Sequence, residues 1–299
     1  MAVTYQGKKV KDNNILTRRT KGETVLFVIV FIIFVIQSIS LFLPIVWMFL
    51  SSLKKPLEYA GGYAFDLPED WLFSNYKLAF DVLNKGDVTF FGMIFNSLWY
   101  TAVVAVMSAF VPLVTGYVMS KYNFKAKPVI FALAITSMTI PIVGATASHL
   151  KIVHLLGLYD TPLYVVVSCF SGFGGSFLVY YGFYKNVSWS YAEAGMIDGA
   201  SPFVIFFKIM LQQAMPIFLT YLITGAIACW NEYYVMILYI PSYPSLASGL
   251  YEYQATAIRL ANYPVYFAGL IISMIPTIAI FAIFADKIMT NLSVGGLKG

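Results

Sequence analysis

Hydrophobic positions in this chain do not recur at every second residue or on one helical face; they form long, nearly unbroken runs. Val25 to Leu50 contains no charged residue, and further runs follow at Ser97–Met119, Pro128–Leu150, Leu163–Tyr181, Ile217–Ile240 and Val265–Phe284. Each approaches the ~20 residues that a helix needs to cross the hydrocarbon core of a bilayer. The pattern predicts six spanning helices. The first run is too long for the apolar core of a signal peptide, about 7–15 residues, and reads as an uncleaved anchor. Pro44 predicts a kink in its outer half. Residues 53–95 hold Pro68, Trp71 and six acidic residues, and read as an excursion outside the bilayer. Residues 182–216 are amphipathic and are placed outside as well.

Composition strengthens this reading. Of 299 residues, 60% are hydrophobic and 11% charged, against roughly 25% charged in soluble domains. That ratio cannot cover a water-facing surface, so lipid is the first expected partner. Six crossings put both termini on one side, and the basic residues choose it. The arm 1–24, the 120–127 loop, the 182–216 loop and the tail 285–299 carry 13 Lys and Arg, against 6 in the opposite segments. Loops rich in these residues stay in the cytoplasm. The expected protein is therefore an all-α integral membrane protein of the cell membrane, with six transmembrane helices and both termini cytoplasmic. A basic cytoplasmic arm, 1–24, precedes a single transmembrane domain, 25–299. That domain has a core at 92–285, a cytoplasmic loop at 182–216 and a C-terminal tail at 285–299. The net charge of +5 brings no basic block beyond the arm, which argues against a nucleic acid partner. Cys169 and Cys229 lie inside apolar runs as packing residues. His149 and His154, five apart, do not share a helical face, so no metal site is expected.

The most specific signal is the stretch Ser190 to Pro216, SYAEAGMIDGASPFVIFFKIMLQQAMP. It reads as two short helices joined at a tight corner. Ser190 and Glu193 have the spacing of a capping box, which would start the first helix at Tyr191. Gly199 suits the left-handed position that ends such a helix. Ser201 can cap the next one, with Pro202 at its first position. Ala194, Gly195 and Ala200 keep the corner free of bulk, so that it can enter a cleft on another protein.

With these residues in place, the chain resembles the permease subunits of ABC importers. Glu193-Ala194-Gly195, Gly199, Ile209 and Leu211 look like that family's EAA loop. Asp198-Gly199-Ala200-Ser201-Pro202 is similar to its carbohydrate branch, in particular the second permease subunit of maltose-type systems. Asn96-Ser97-Leu98, Gly157-Leu158-Tyr159-Asp160-Thr161, Trp230-Asn231-Glu232 and the C-terminal Leu292–Gly299 match in order. Two departures are Gly195 in place of the usual third Ala and Gln212 in place of the usual Pro; the latter predicts a straighter run into the fifth span.

The resemblance implies the type I importer architecture and no catalytic residues. It also implies four kinds of partner or function: a second homologous permease; a dimeric cytoplasmic ATPase that holds ATP and magnesium and receives Glu193, Ala194, Gly195, Asp198, Gly199, Ala200, Ser201 and Pro202; an extracytoplasmic sugar-binding protein met by the loop 241–264 with Tyr243, Tyr251 and Tyr253; and import of a carbohydrate, an oligosaccharide in this branch. No GxxxxGK[ST] motif occurs in the chain, so this chain has no phosphate cradle of its own.

Two residues have a bland reading beside the sharp one. Glu193 can close its own capping box, and the resemblance implies a second role, pairing with a basic group on the ATPase; one carboxylate has acceptor sites for both. Glu232 is the only acidic residue within a predicted span, where carboxylates are functional candidates. With Trp230, Asn231 and Tyr233 it reads as a sugar pathway, or alternatively as part of an interfacial aromatic belt. An ion-gradient-driven secondary transporter is the competing function. It would need inverted repeats and broken helices around ionisable groups, and the sequence offers one carboxylate and no evident repeat. An intramembrane enzyme would need a nucleophile–base or metal-ligand set within the spans, and none is visible.

Overall fold

The computed structural model describes residues 21–62, 65–140 and 144–294, with side chains to Ala285. The basic arm ahead of Lys21 and the last residues of the C-terminal motif lie outside this range. Among the described residues the chain is helical and has no strand. The helices are α1 (Lys21–Ser52), α2 (Pro56–Gly61), α3 (Ser74–Val82), α4 (Phe90–Lys121), α5 (Lys127–Thr139), α6 (Ala145–Leu155), α7 (Pro162–Ser168), α8 (Gly175–Asn186), α9 (Ser190–Ile197), α10 (Pro202–Ile205), α11 (Leu211–Trp230), α12 (Tyr234–Tyr239), α13 (Leu246–Leu260) and α14 (Tyr263–Val294). A turn of π-helix, Phe206–Met210, joins α10 to α11, so Pro202–Trp230 runs as one continuous rod.

Four of these are long and apolar enough to cross a membrane: Lys21–Ser52, Phe90–Lys121, Pro202–Trp230 and Tyr263–Ala285. The helix α1 passes unbroken through Pro44 and buries none of its apolar window within the chain. The other two predicted spans are each divided. The third run becomes α5 and α6, with Gly144 at φ 76° at the start of the second piece. The fourth becomes α7 and α8, separated by residues 169–174. The fifth run also breaks, at Asn231–Tyr233.

At the centre, α4 packs along α8 and α11, and α14 packs on α11 in turn. Close approach there depends on Gly116: a Cβ at that position would lie 2.7 Å from Tyr180 Cβ on α8. The segment 53–95 forms α2, α3 and a turn closed by Lys85 and Val88. It packs by Ala79 and Leu83 into a core with Phe90, Met93, Leu250 and Val265. The segment 241–264 is folded, for the most part as α13: its buried face (Leu246, Leu250, Ala257) lies against α4 and α14.

Candidate functional site

Two assemblies of the sequence motifs lie at opposite ends of α4, with Ser97 and Tyr117 about 30 Å apart at 1.5 Å rise per residue.

The corner of α9 and α10 lies at the C-terminal end of α4. The Gly199 N–H donates to Met196 O at 3.0 Å and the Ala200 N–H to Gly195 O at 2.9 Å. This is a Schellman stop, and Gly199 takes its left-handed position at φ 76°. Ser201 caps α10, its Oγ accepting from the Val204 N–H, with Pro202 in the first turn. Gly195 is buried against the next rod: a Cβ there would meet Ile209 Cδ1 at 3.0 Å and Ile205 Cγ1 at 3.2 Å. With isoleucines at both positions, glycine fits where alanine is crowded.

The capping box does not form. The helix begins one residue early, at Ser190, and the N-cap is Trp189. The Ser190 N–H donates to Ser188 Oγ at 3.2 Å, and the two serine hydroxyls pair at 2.7 Å. The Glu193 N–H is satisfied by Trp189 O. A nearer serine takes the capping work, and the exposed Glu193 carboxylate has no partner among the described residues. Beside it, Ile197 is 86% and Phe203 77% exposed, so the corner presents apolar side chains around a free carboxylate.

Behind the corner, Tyr117, Tyr180, Tyr184, Ile205, Phe206 and Met210 form a buried cluster. The Tyr184 hydroxyl donates to Met210 O at 3.2 Å, meeting the backbone at the π turn. Such turns are often found at functional sites. The rod is continuous from the corner into the fifth span, through the π turn at Phe206–Met210 and past Gln212 and Pro216.

At the other end, Glu232 lies in the break between α11 and α12 rather than within a helix. Its Oε1 accepts from the Tyr234 N–H at 2.7 Å and the Val235 N–H at 3.2 Å, so the carboxylate starts the short α12. Trp230 is 4% exposed and donates its indole N–H to Ser273 O on α14 at 2.9 Å. Asn231 and Tyr233 are exposed; Tyr233 stacks on Tyr251 of α13 with ring centres 4.5 Å apart and planes at 18°. Tyr234 reaches Thr146 on α6. Tyr243 packs edge-on to Trp99, and Tyr253 turns into the core formed with Leu83 and Leu250. Burial pushes the Tyr253 phenol above its ordinary pKa. His149 Nδ1 pairs with the Tyr239 hydroxyl, and His154 stacks on Tyr159.

The remaining motifs meet at the base of α13. Asn96 donates to Pro244 O at 3.0 Å, the Leu246 N–H donates to Ser97 Oγ at 2.8 Å, and Ser245 Oγ donates to Glu232 O at 3.2 Å. Sequence reasoning singles out these residues without showing that they share one neighbour. Their separations along the chain, 148 and 149 residues for the first two, leave no local signal.

Long apolar rods, a helix left bare of intrachain packing and an exposed, glycine-cornered loop together define a membrane-embedded subunit of a larger assembly. A family model described as the binding-protein-dependent transport system inner membrane component matches residues 112–293. The chain belongs to that family; it is an ABC transporter permease subunit, a membrane component rather than an enzyme. It is similar to the arabinooligosaccharides transport system permease protein AraQ of Bacillus subtilis, 26% identical over 268 residues, covering 89% of this chain and 94% of that one. It is also similar to the diacetylchitobiose uptake system permease protein NgcG of Streptomyces coelicolor, 22% identical over 268 residues, covering 88% and 86%. Among solved structures it shares its fold with a chain of a bacterial ABC transporter involved in the import of the acidic polysaccharide alginate. That match has a TM-score of 0.72 at 21% identity, over 90% of this chain and 98% of that one. A bacterial alginate ABC transporter in complex with alginate pentasaccharide-bound periplasmic protein matches with a TM-score of 0.60 at 14% identity, over 88% and 93%.

Proposed function

We propose that this chain is the transmembrane permease of an ATP-driven importer that moves a carbohydrate, an oligosaccharide, delivered by an extracytoplasmic binding protein. The observation that carries the reading is the exposed α9–α10 corner, built as a docking element on a chain of the binding-protein-dependent family. The sugar-transporting relatives support the substrate class. The chain crosses the membrane six times, by α1, α4, α5 with α6, α7 with α8, α11 with α12, and α14. Both termini face the cytoplasm, in keeping with the basic-residue asymmetry.

The corner docks on a dimeric ATPase that binds ATP and magnesium. Gly199, Ser201 and Pro202 set its backbone. Ala194, Gly195 and Ala200 keep it slim, and Glu193 and Asp198 supply charge to a basic groove. ATP-driven closure of the ATPase pulls the corner, and the continuous Pro202–Trp230 rod carries that motion to the break at Asn231–Tyr233. There Asn231, Tyr233 and Tyr251 offer an amide and stacked aromatic faces to sugar rings, while Glu232 holds α12 in place and Trp230 fixes the rod against α14. A second permease completes the pathway, and α13 with the Tyr243 loop faces the binding protein.

The test is the purified assembly. An ATPase and a second permease should come down with this chain, and a bound oligosaccharide should appear as density beside Tyr233 and Tyr251. A complex saturated with transported sugar whose density lies wholly on the partner permease would refute the pathway assigned here.

A further inference from the structure

Among the described residues, two that are not glycine have positive φ: Asp160 at 56° and Ala261 at 51°. Left-handed backbone is costly for an L-residue and persists where the surroundings enforce it. Both residues bracket α13. Ala261 ends the helix as its C-cap. Asp160 is far from it in sequence, in the turn between α6 and α7, yet it grips the loop from which α13 departs.

Three hydrogen bonds make the grip. The Asp160 N–H donates to Tyr239 O at 2.7 Å. Its Oδ1 accepts from the Ser242 N–H at 2.9 Å, and its Oδ2 accepts from Ser242 Oγ at 2.6 Å. Both carboxylate oxygens are thus used on one residue 82 positions away, and both bonds are of the stronger, charge-assisted kind. The bonds from Asn96, Ser97 and Ser245 fix the following residues, Pro244 to Leu246, to α4 and to the α11–α12 break. Among the described residues Asp160 makes the hydrogen bonds between this loop and the α6–α7 turn, beside the apolar packing of Leu158 and Tyr159 in one cluster with Ile240 and Tyr243.

We infer that Asp160 is a positioning residue, a clasp that sets the bearing of α13 by fastening its root to the α6–α7 turn. With the clasp closed, α13 is coupled at its root to α6 and α12; with it open, the helix keeps its packing on α4 and α14, the Lys85–Glu252 ion pair and the Pro244–Leu246 bonds, but its root is no longer hydrogen-bonded to the α6–α7 turn. The inference holds whatever α13 touches, so it stands or falls independently of the binding-protein reading.

Substitutions separate the clasp from the backbone shape. Asp160→Asn keeps an acceptor for the Ser242 N–H and a donor for its hydroxyl, and asparagine tolerates left-handed φ. Asp160→Gly keeps the backbone conformation and the bond to Tyr239 O but removes both side-chain bonds. The full chain is reconstituted in lipid nanodiscs with a spin label at the exposed Gln254 of α13, and separately at Phe124 in the α4–α5 turn.

In Asp160→Gly, the label at 254 should gain mobility, and the α13 amides should exchange roughly ten- to a hundredfold faster. The label at 124 should be unchanged. Asp160→Asn should restore the wild-type spectrum. General loosening would move both labels. If Asp160→Gly does not assemble, Ser242→Ala removes the hydroxyl bond from the other side and should show the same pattern at smaller size. An unchanged label at 254 in Asp160→Gly, or equal disturbance at 254 and 124, would overturn the clasp.

Discussion

The sharpest perturbation is at Gly199, because the structure separates two effects that one substitution usually mixes. The backbone there is left-handed, φ 76°, and a Cβ would meet nothing within 4 Å. Alanine therefore adds no clash within the chain and costs only the conformational penalty, roughly 1–2 kcal/mol. Asparagine adopts this conformation far more readily but projects a side chain from the corner. Leucine combines strain and bulk. The strain should appear locally, because α9 spans only Ser190–Ile197 and can fray without global unfolding. The reporter is the Ala200 amide, which donates to Gly195 O at 2.9 Å. In Gly199→Ala its exchange should quicken by about 5- to 30-fold, the factor matching 1–2 kcal/mol, while Gly199→Asn stays near wild type. ATPase retention on the purified permease reads docking. Asn should weaken it without changing exchange, and Leu should abolish it while the protein remains inserted. Equal exchange in the alanine variant and wild type would refute the strain argument; full retention in both Asn and Leu would refute a corner that enters a cleft.

Other outcomes follow from the same geometry. Since Glu193 caps nothing, Glu193→Gln should leave α9 intact yet weaken ATPase retention by roughly tenfold. It exchanges a charged hydrogen bond of about 1.5–3 kcal/mol for a neutral one near 1; the loss should shrink at high salt, and unchanged retention would remove the ion pair. Tyr184→Phe deletes the donor to Met210 O and should cost about 1 kcal/mol, seen as earlier thermal inactivation in detergent; an unshifted curve would mean that this carbonyl finds another donor. A cysteine at Lys125 should be labelled only from the cytoplasm and one at Asp70 only from outside, and the reverse pattern would overturn the orientation.

The apolar runs are legible in sequence because lipid contact is written into composition, but their continuity is not. A uniformly apolar run has no period that distinguishes one helix from two. The breaks depend on partners far along the chain. At Gly172, in the α7–α8 break, the freed carbonyl accepts from Thr115 Oγ1 at 2.8 Å, and a Cβ would come within 2.6 Å of Thr115 Cγ2. At Asn231–Tyr233, the Glu232 carboxylate takes up the N–H groups that the interrupted helix leaves unpaired. Irregular backbone at membrane depth is tolerated only where such partners or a wet cavity satisfy it. A sequence that shows one intramembrane carboxylate therefore gives no sign of three interrupted runs. On interruption alone, a gradient-driven transporter would have gained ground; membership of the binding-protein-dependent family decides against it.

Legibility follows the range of the interactions. The corner is readable because its stop, cap and turn are set by residues within a few positions of one another. The same locality misleads at Ser190, which lies inside the helix with Trp189 at the N-cap, its N–H taken by Ser188 Oγ. The candidate pathway residues fail differently. Trp230 and Tyr233 are three apart, which on an unbroken helix would place them on one face and make them equivalent candidates for stacking on sugar. The helix ends at Trp230, so the two side chains belong to different axes. Trp230 finishes α11 with its indole bonded to α14, while Tyr233 begins a new direction and lies exposed against Tyr251. The break sorts the packing residue from the exposed one, and its position is set by what Glu232 and the base of α13 bind.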